Sequence, residues 1–183
     1  GFGHATLSLT DWHGGIGVKL RFVLLSSPIV AGLFLAIAGS VQAETDVTGD
    51  PIVAEARTLL QVERAEIIRD EILFTREEAS RFWPAYEAYR RDIMAVRDRQ
   101  AELVAGYVKA YRDGAVSASM AEDLVDDYLD IKQDLLKVQK KHLKKLRKIL
   151  PPRKLGRFYQ LENKLDAETD AQLALFIPLM DPV

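Results

Sequence analysis

Between Phe82 and Ile149 apolar side chains recur at alternating steps of four and three, in two runs on either side of one glycine. The first run is Phe82, Tyr86, Tyr89, Ile93, Val96, Gln100, Leu103, Tyr107 and Ala110. The second is Leu124, Tyr128, Ile131, Leu135, Val138, His142, Leu146 and Ile149. That spacing is the seam of one helix against another. Gly114, inside Arg112-Asp113-Gly114, separates the two runs. Two seams of equal length joined by a glycine turn predict a long antiparallel helical hairpin. No segment alternates with the period of a strand, so the fold class is all-α.

The hairpin is bounded by local signals. Thr75-Arg76-Glu77-Glu78 reads as a capping box, in which Thr75 accepts from the third amide and Glu78 reaches back. Ser119-Met120-Ala121-Glu122 reads as a second one. Pro151 and Pro152 end the second arm, and Pro152 suits the first turn of another helix carrying Leu155, Phe158, Tyr159, Leu161 and Leu165. Upstream, Asp50-Pro51 suits a helix start, followed by a looser stripe through Ile52, Ala56, Leu59, Leu60, Ile67 and Ile68. Shorter N- and C-terminal helices are therefore expected to flank the hairpin, all within a single helical domain over 51–183.

The first 43 residues are read as an address. Lys19 and Arg21 precede an apolar run, Phe22 to Ala38, and Val41-Gln42-Ala43 fits a cleavage site. Residues 18–43 thus predict a cleaved signal peptide and a periplasmic protein. Ser26, Ser27 and Pro28 interrupt the run, which argues against a membrane anchor. Residues 1–17 lack methionine and any apolar period, and are read as an upstream artefact, with Val18 opening the leader. Residues 44–50 are polar and are expected to be flexible.

Chemistry-bearing patterns are few. The chain has no cysteine, and of its three histidines only His142 lies beyond the leader. Nucleophile elbows, P-loops and dinucleotide fingerprints are absent from the sequence, so no catalytic residue and no cofactor are assigned and an enzyme is not expected. A metal site is not expected either, because one histidine falls short of the three or four ligands such sites use. His142 is expected to be packed across the hairpin near Tyr89 or Tyr86. Phe82, Tyr86 and Tyr89 belong to the seam. Trp83, one position off it, is expected to pack in the core, with contact to a bound partner as the alternative. Pro84 removes the amide that would bond Ser80, which predicts a bend with a concave face.

From Lys137 to Arg157 there are ten Lys or Arg and no acid, whereas the first half of the same helix is acidic. Acid early and base late suit the helix dipole, so a solvated face explains the run. The functional alternative is a positive patch, with Lys140, Lys144 and Arg153 as candidates, for an acidic partner or an anionic membrane surface. Nucleic acid is not expected, since the net charge is −2 and the chain carries an export signal.

With these motifs in place, the chain resembles the Spy/CpxP-like periplasmic proteins, whose helices open on a repeated LTxxQ motif. The first copy corresponds to Phe74-Thr75-Arg76-Glu77-Glu78 and the second to Leu150-Pro151-Pro152-Arg153-Lys154. It is more similar still to a divergent subgroup with an LTxxEAxxFWPxYxxY start and an LPPxKxxRFYQxENKL finish. Thr75, Glu78, Ala79, Phe82, Trp83, Pro84, Tyr86 and Tyr89 match the first pattern. Leu150, Pro151, Pro152, Lys154, Arg157 to Gln160 and Glu162 to Leu165 match the second, so Phe158 and Tyr159 are motif residues. The resemblance spans most of residues 55–180. It implies a cradle-shaped, dimeric helical fold that binds unfolded or envelope proteins without ATP, as a holdase chaperone or an envelope-stress adaptor. Metal or small-ligand sensing, as in ZraP-like relatives, is the alternative, and a structural envelope protein the third. In that family metals are bound through histidines this chain lacks.

Overall fold

A computed structural model describes residues 51–175 and 177–182, with side chains from Thr58 onward except Leu59. The expected leader, the artefact segment, the flexible linker and the Asp50 cap lie outside the described residues. Four helices follow in order: α1 Pro51–Glu71, α2 Arg76–Arg112, α3 Ala118–Leu146 and α4 Pro152–Ala174. Among the described residues there is no strand, and the fold is all-α.

The helix ends follow the local chemistry. Thr75 caps α2 as expected: the Glu78 amide donates to Thr75 Oγ1 at 3.2 Å and the Thr75 amide to Glu78 Oε2 at 2.7 Å. At the far end Gly114 takes φ 63°, the left-handed conformation that glycine adopts without a Cβ penalty. Its amide donates to Tyr111 O and that of Ala115 to Ala110 O, the paired bonds of a Schellman stop. The start of α3 differs from expectation. Ser117, not Ser119, is the cap, and its hydroxyl accepts from the Met120 amide at 3.1 Å. The third helical residue is then Met120, so no carboxylate returns the bond. A hydroxyl two residues earlier gains an extra half-turn of helix and outweighs the reciprocal bond that Glu122 offered. Pro151 and Pro152 open α4, with Pro152 in its first turn.

α2 has 37 residues, about 55 Å at 1.5 Å per residue. It pairs with α3 in antiparallel register. Arg81 donates to Lys148 O at 3.2 Å, His142 meets Asp92 at 2.7 Å, and Arg99 meets Asp134 at 2.6 Å. α4 runs alongside α2 in the same direction, from the Lys154–Glu78 pair to the Arg97–Asp170 pair. α1 runs opposite to both, through Gln61 with Arg90 and through Arg64 with Glu162 and Asp166. The shorter helices thus cover the N-terminal two thirds of α2, which is why the core gathers there. Phe82, Ile93, Ile68, Ile72, Leu146 and Phe158 are each at most 1% exposed. Toward the hairpin tip Tyr107 stays buried, its hydroxyl donating to Pro178 O at 2.8 Å, whereas Tyr128 is 40% exposed with the Lys132 ammonium 5.2 Å above its ring.

Candidate functional site: the joint of the two motifs

The structure brings the two sequence motifs together at one end of the bundle. Phe158 of the second stands edge-on to Phe82 and Tyr86 of the first, with ring centroids 5.5 and 6.0 Å apart, and 6.1 Å from Tyr89. Lys154 donates to the Glu78 carboxylate and to Leu73 O. Arg157 donates to Glu71 O at 2.6 Å and pairs with the Glu71 carboxylate. The start of α4 therefore fastens the turn between α1 and α2. Hydrogen bonds from Lys154, then from Thr75, hold the Glu78 carboxyl below its ordinary range.

Below this aromatic cluster lies a buried ion network that sequence reasoning did not single out. Glu162 is 2% exposed and takes bonds from Arg64, Arg90 and the Tyr86 hydroxyl, all at 3.1–3.3 Å. Burial alone would push its carboxyl up, but Arg64 and Arg90 overcome that and hold it low. Burial, reinforced by Glu162, raises the Tyr86 phenol instead. A buried charge is tolerable only when every lone pair is met, and here it is. The network fixes α1 and α4 on α2; it offers no open face for chemistry. The signal for it was the Glu in the ENKL run, a carboxylate among apolar i+3 and i+4 neighbours.

His142 is 2% exposed and lies beside Tyr89, as its seam position predicts, with the rings tilted and their centroids 5.6 Å apart; it also meets Asp92, which the sequence did not single out. Among the described residues no three His, Cys, Asp or Glu side chains group where they could hold a metal ion. No helix among them is long and apolar enough to cross a membrane.

The candidate partner-binding residues divide. Trp83 is half-buried, packed on Phe74, Phe82 and Tyr86, with the Arg69 guanidinium 5.3 Å above it. Pro84 is exposed inside an unbroken α2. Lys140, Lys144 and Arg153 are exposed. The basic run itself splits in two. Lys137, Lys141, Lys154 and Arg157 pair with acids of the fold. Among the described residues, no salt bridge reaches Lys140, Lys144, Lys145, Arg147, Lys148 or Arg153.

Beside those unspent cations, where α3 turns into α4, lies an open groove of about 710 Å³. Leu143, Leu150, Pro152, Leu155 and Tyr159 wall it, and Arg147 supplies its single charge. Gly156 also lines it. A Cβ added there would meet nothing within 4 Å, so no packing within the chain requires this glycine. Helix-interior glycine costs about 0.5–1 kcal/mol relative to alanine, and here it leaves space beside the apolar wall. Tyr159, assigned to the second motif, is 43% exposed on this side while its neighbour Phe158 is buried.

Comparison with protein-family models, with curated proteins and with solved structures finds no match to this chain.

Proposed function

We propose that this is an exported helical protein of the Spy/CpxP-like kind, which binds unfolded or envelope proteins without ATP as a holdase or stress adaptor. The groove between α3 and α4 carries the proposal. It joins apolar walls to one cation, with Lys144, Lys148 and Arg153 exposed nearby. Such a surface suits an apolar segment flanked by acidic residues: the walls desolvate the apolar side chains, and the cations attract the flanks over a Debye length. Its openness suits a chain of variable sequence better than a small molecule, which pockets mostly enclose.

The test is suppression of aggregation. The full chain is mixed with several unfolding clients at equal and excess ratios, and light scattering is followed. Suppression that weakens on Arg147→Glu is the expected result. No suppression for any client at any ratio would sink the proposal. A stoichiometric zinc, copper or nickel site tighter than about micromolar, seen by calorimetry, would favour the sensor alternative instead.

A further inference from the structure

Near the hairpin tip the outer face of α3 sets exposed apolar side chains beside unpaired acids. Val125 and Leu129 are 56% and 58% exposed, and past Lys132 the row continues to Leu136, 45% exposed. Steps of four, three and four keep these residues on one side of the helix, turned away from the Ile131 and Leu135 row that packs into the core. Along the edge of the apolar row run Glu122, Asp126 and Asp130, again at steps of four, with Asp123 and Asp127 next to them. All five acids are exposed, and residues 118–131 carry no Lys or Arg. The nearest cation along the helix, Lys132, is held by Asp170 at 3.1 Å. Toward the tip the last salt bridge across the hairpin, among the described residues, is Arg99–Asp134.

The fold itself has little use for this charge. A helix dipole favours acids in the first turn, and the first turn of α3 has none. Asp126 and Asp130 stand in its third and fourth turns, beyond that reach. Like charges four residues apart repel, so the Glu122, Asp126 and Asp130 row weakens the helix that carries it. The apolar row gains nothing from water, and apolar surface rimmed by charge marks a contact face.

Charge selects the occupant. Five acids repel an anionic membrane or a nucleic acid. They attract an apolar stripe edged with cations, and the steps of four and three on α3 suit a stripe of the same helical spacing. We propose that the outer face of α3 around Val125 and Leu129 docks a cationic amphipathic helix of a separate protein. Its apolar stripe covers Val125, Leu129 and Leu136, and its Lys or Arg side chains meet Glu122, Asp126 and Asp130. Apolar contact supplies the affinity, and the charges choose the partner and its orientation. This face shares no residue with the groove, whose charge is positive. Leu129 and Arg147 lie about 27 Å apart along the helix axis. One chain thereby presents surfaces of opposite charge preference at its two ends.

Fluorescence anisotropy with the full chain and two labelled helical peptides tests this. Both peptides carry a leucine stripe, edged by lysines in one and by glutamates in the other. The lysine peptide is expected to bind at physiological ionic strength. Glu122→Lys combined with Asp126→Lys should weaken it at least about tenfold, and Leu129→Ser about as much. Helical circular dichroism should stay unchanged, since these side chains are exposed. Arg147→Glu, in the groove, should leave lysine-peptide binding intact, and the α3 variants should leave client suppression intact. The two sites are thus read separately, and a failure of client suppression does not touch the peptide result. Absence of lysine-peptide binding overturns the proposal. Binding that survives Leu129→Ser, or that the glutamate peptide matches in an Arg147→Glu background, overturns it too. Self-association of the chain that excludes the peptide would give the face to a second copy and overturn it as well.

Discussion

Arg64 and Glu162, 98 residues apart in sequence, form a two-pronged ion pair in the interior. Arg64 Nε donates to one carboxylate oxygen at 3.2 Å and Nη2 to the other at 3.1 Å. Both side chains are under 10% exposed. Glu162→Ala would leave Arg64 and Arg90 buried without their shared acid. We expect a loss of about 3–5 kcal/mol in urea unfolding, the cost typical of stranding a buried charge. A loss below about 1 kcal/mol, the value of an exposed pair, would show that water reaches the cluster.

The Asp92 carboxyl is held down at about 2 by hydrogen bonds from Lys141 and then His142. A carboxyl lowered in the folded state contributes stability that is complete above its unfolded value of about 4 and is lost as pH falls toward 2. Glu78, lowered by Lys154, acts in the same direction. The thermal midpoint should therefore fall over that acid window, and Asp92→Asn should flatten part of the fall. A pH profile unchanged by Asp92→Asn would remove this pair from the acid response.

Pro84 sits exposed in the third turn of α2 and cannot donate to the Ser80 carbonyl. Pro84→Ala supplies that bond and should raise stability by up to about 3 kcal/mol, less what the native geometry recovers by packing. If the proline shapes a client-binding face, client suppression falls while the thermal midpoint rises. Unchanged suppression would reduce Pro84 to a packing detail.

At Gly156 the two effects separate by size. Gly156→Ala should stabilise α4 by about 0.5–1 kcal/mol, because its Cβ meets nothing. Gly156→Leu projects into the groove and should reduce client suppression without unfolding the protein. Full suppression by the leucine variant would place the client elsewhere.

Charge reversal at Arg153 and Lys148 should weaken client binding, most at low salt where screening is least. The check is the salt dependence of suppression for parent and variant. Parallel curves would make these cations a solvated face only.

What was legible in the sequence is what is local or periodic. The Thr75 cap, the Gly114 stop and the Pro151-Pro152 start each depend on residues within one turn. His142 beside Tyr89 follows from one seam and one register. Ser117 was missed because two serines compete within a turn, and a rule for reciprocal bonds favours Ser119 while helix length favours Ser117. The Arg64–Glu162 pair was illegible for a different reason. Twenty-seven acids crowd the sequence, and which one is buried depends on where α1 and α4 land on α2.

The fastening of the α1–α2 turn by Lys154 and Arg157 has a consequence for the order of folding. These bonds join residues 76 and 86 apart, whereas the hairpin pairs Arg99–Asp134 and Lys141–Asp92 join residues 35 and 49 apart. Loop closure alone separates them little, about 0.6 kcal/mol for each doubling of length. What matters is that α1 docks on two surfaces at once: α2, through Arg90 and Trp83, and α4, through Glu162 and Asp166, of which the second exists only once α4 has packed on the hairpin. α1, made before the other three helices, therefore completes its buried ion pairs only after the last of them, α4, is in place.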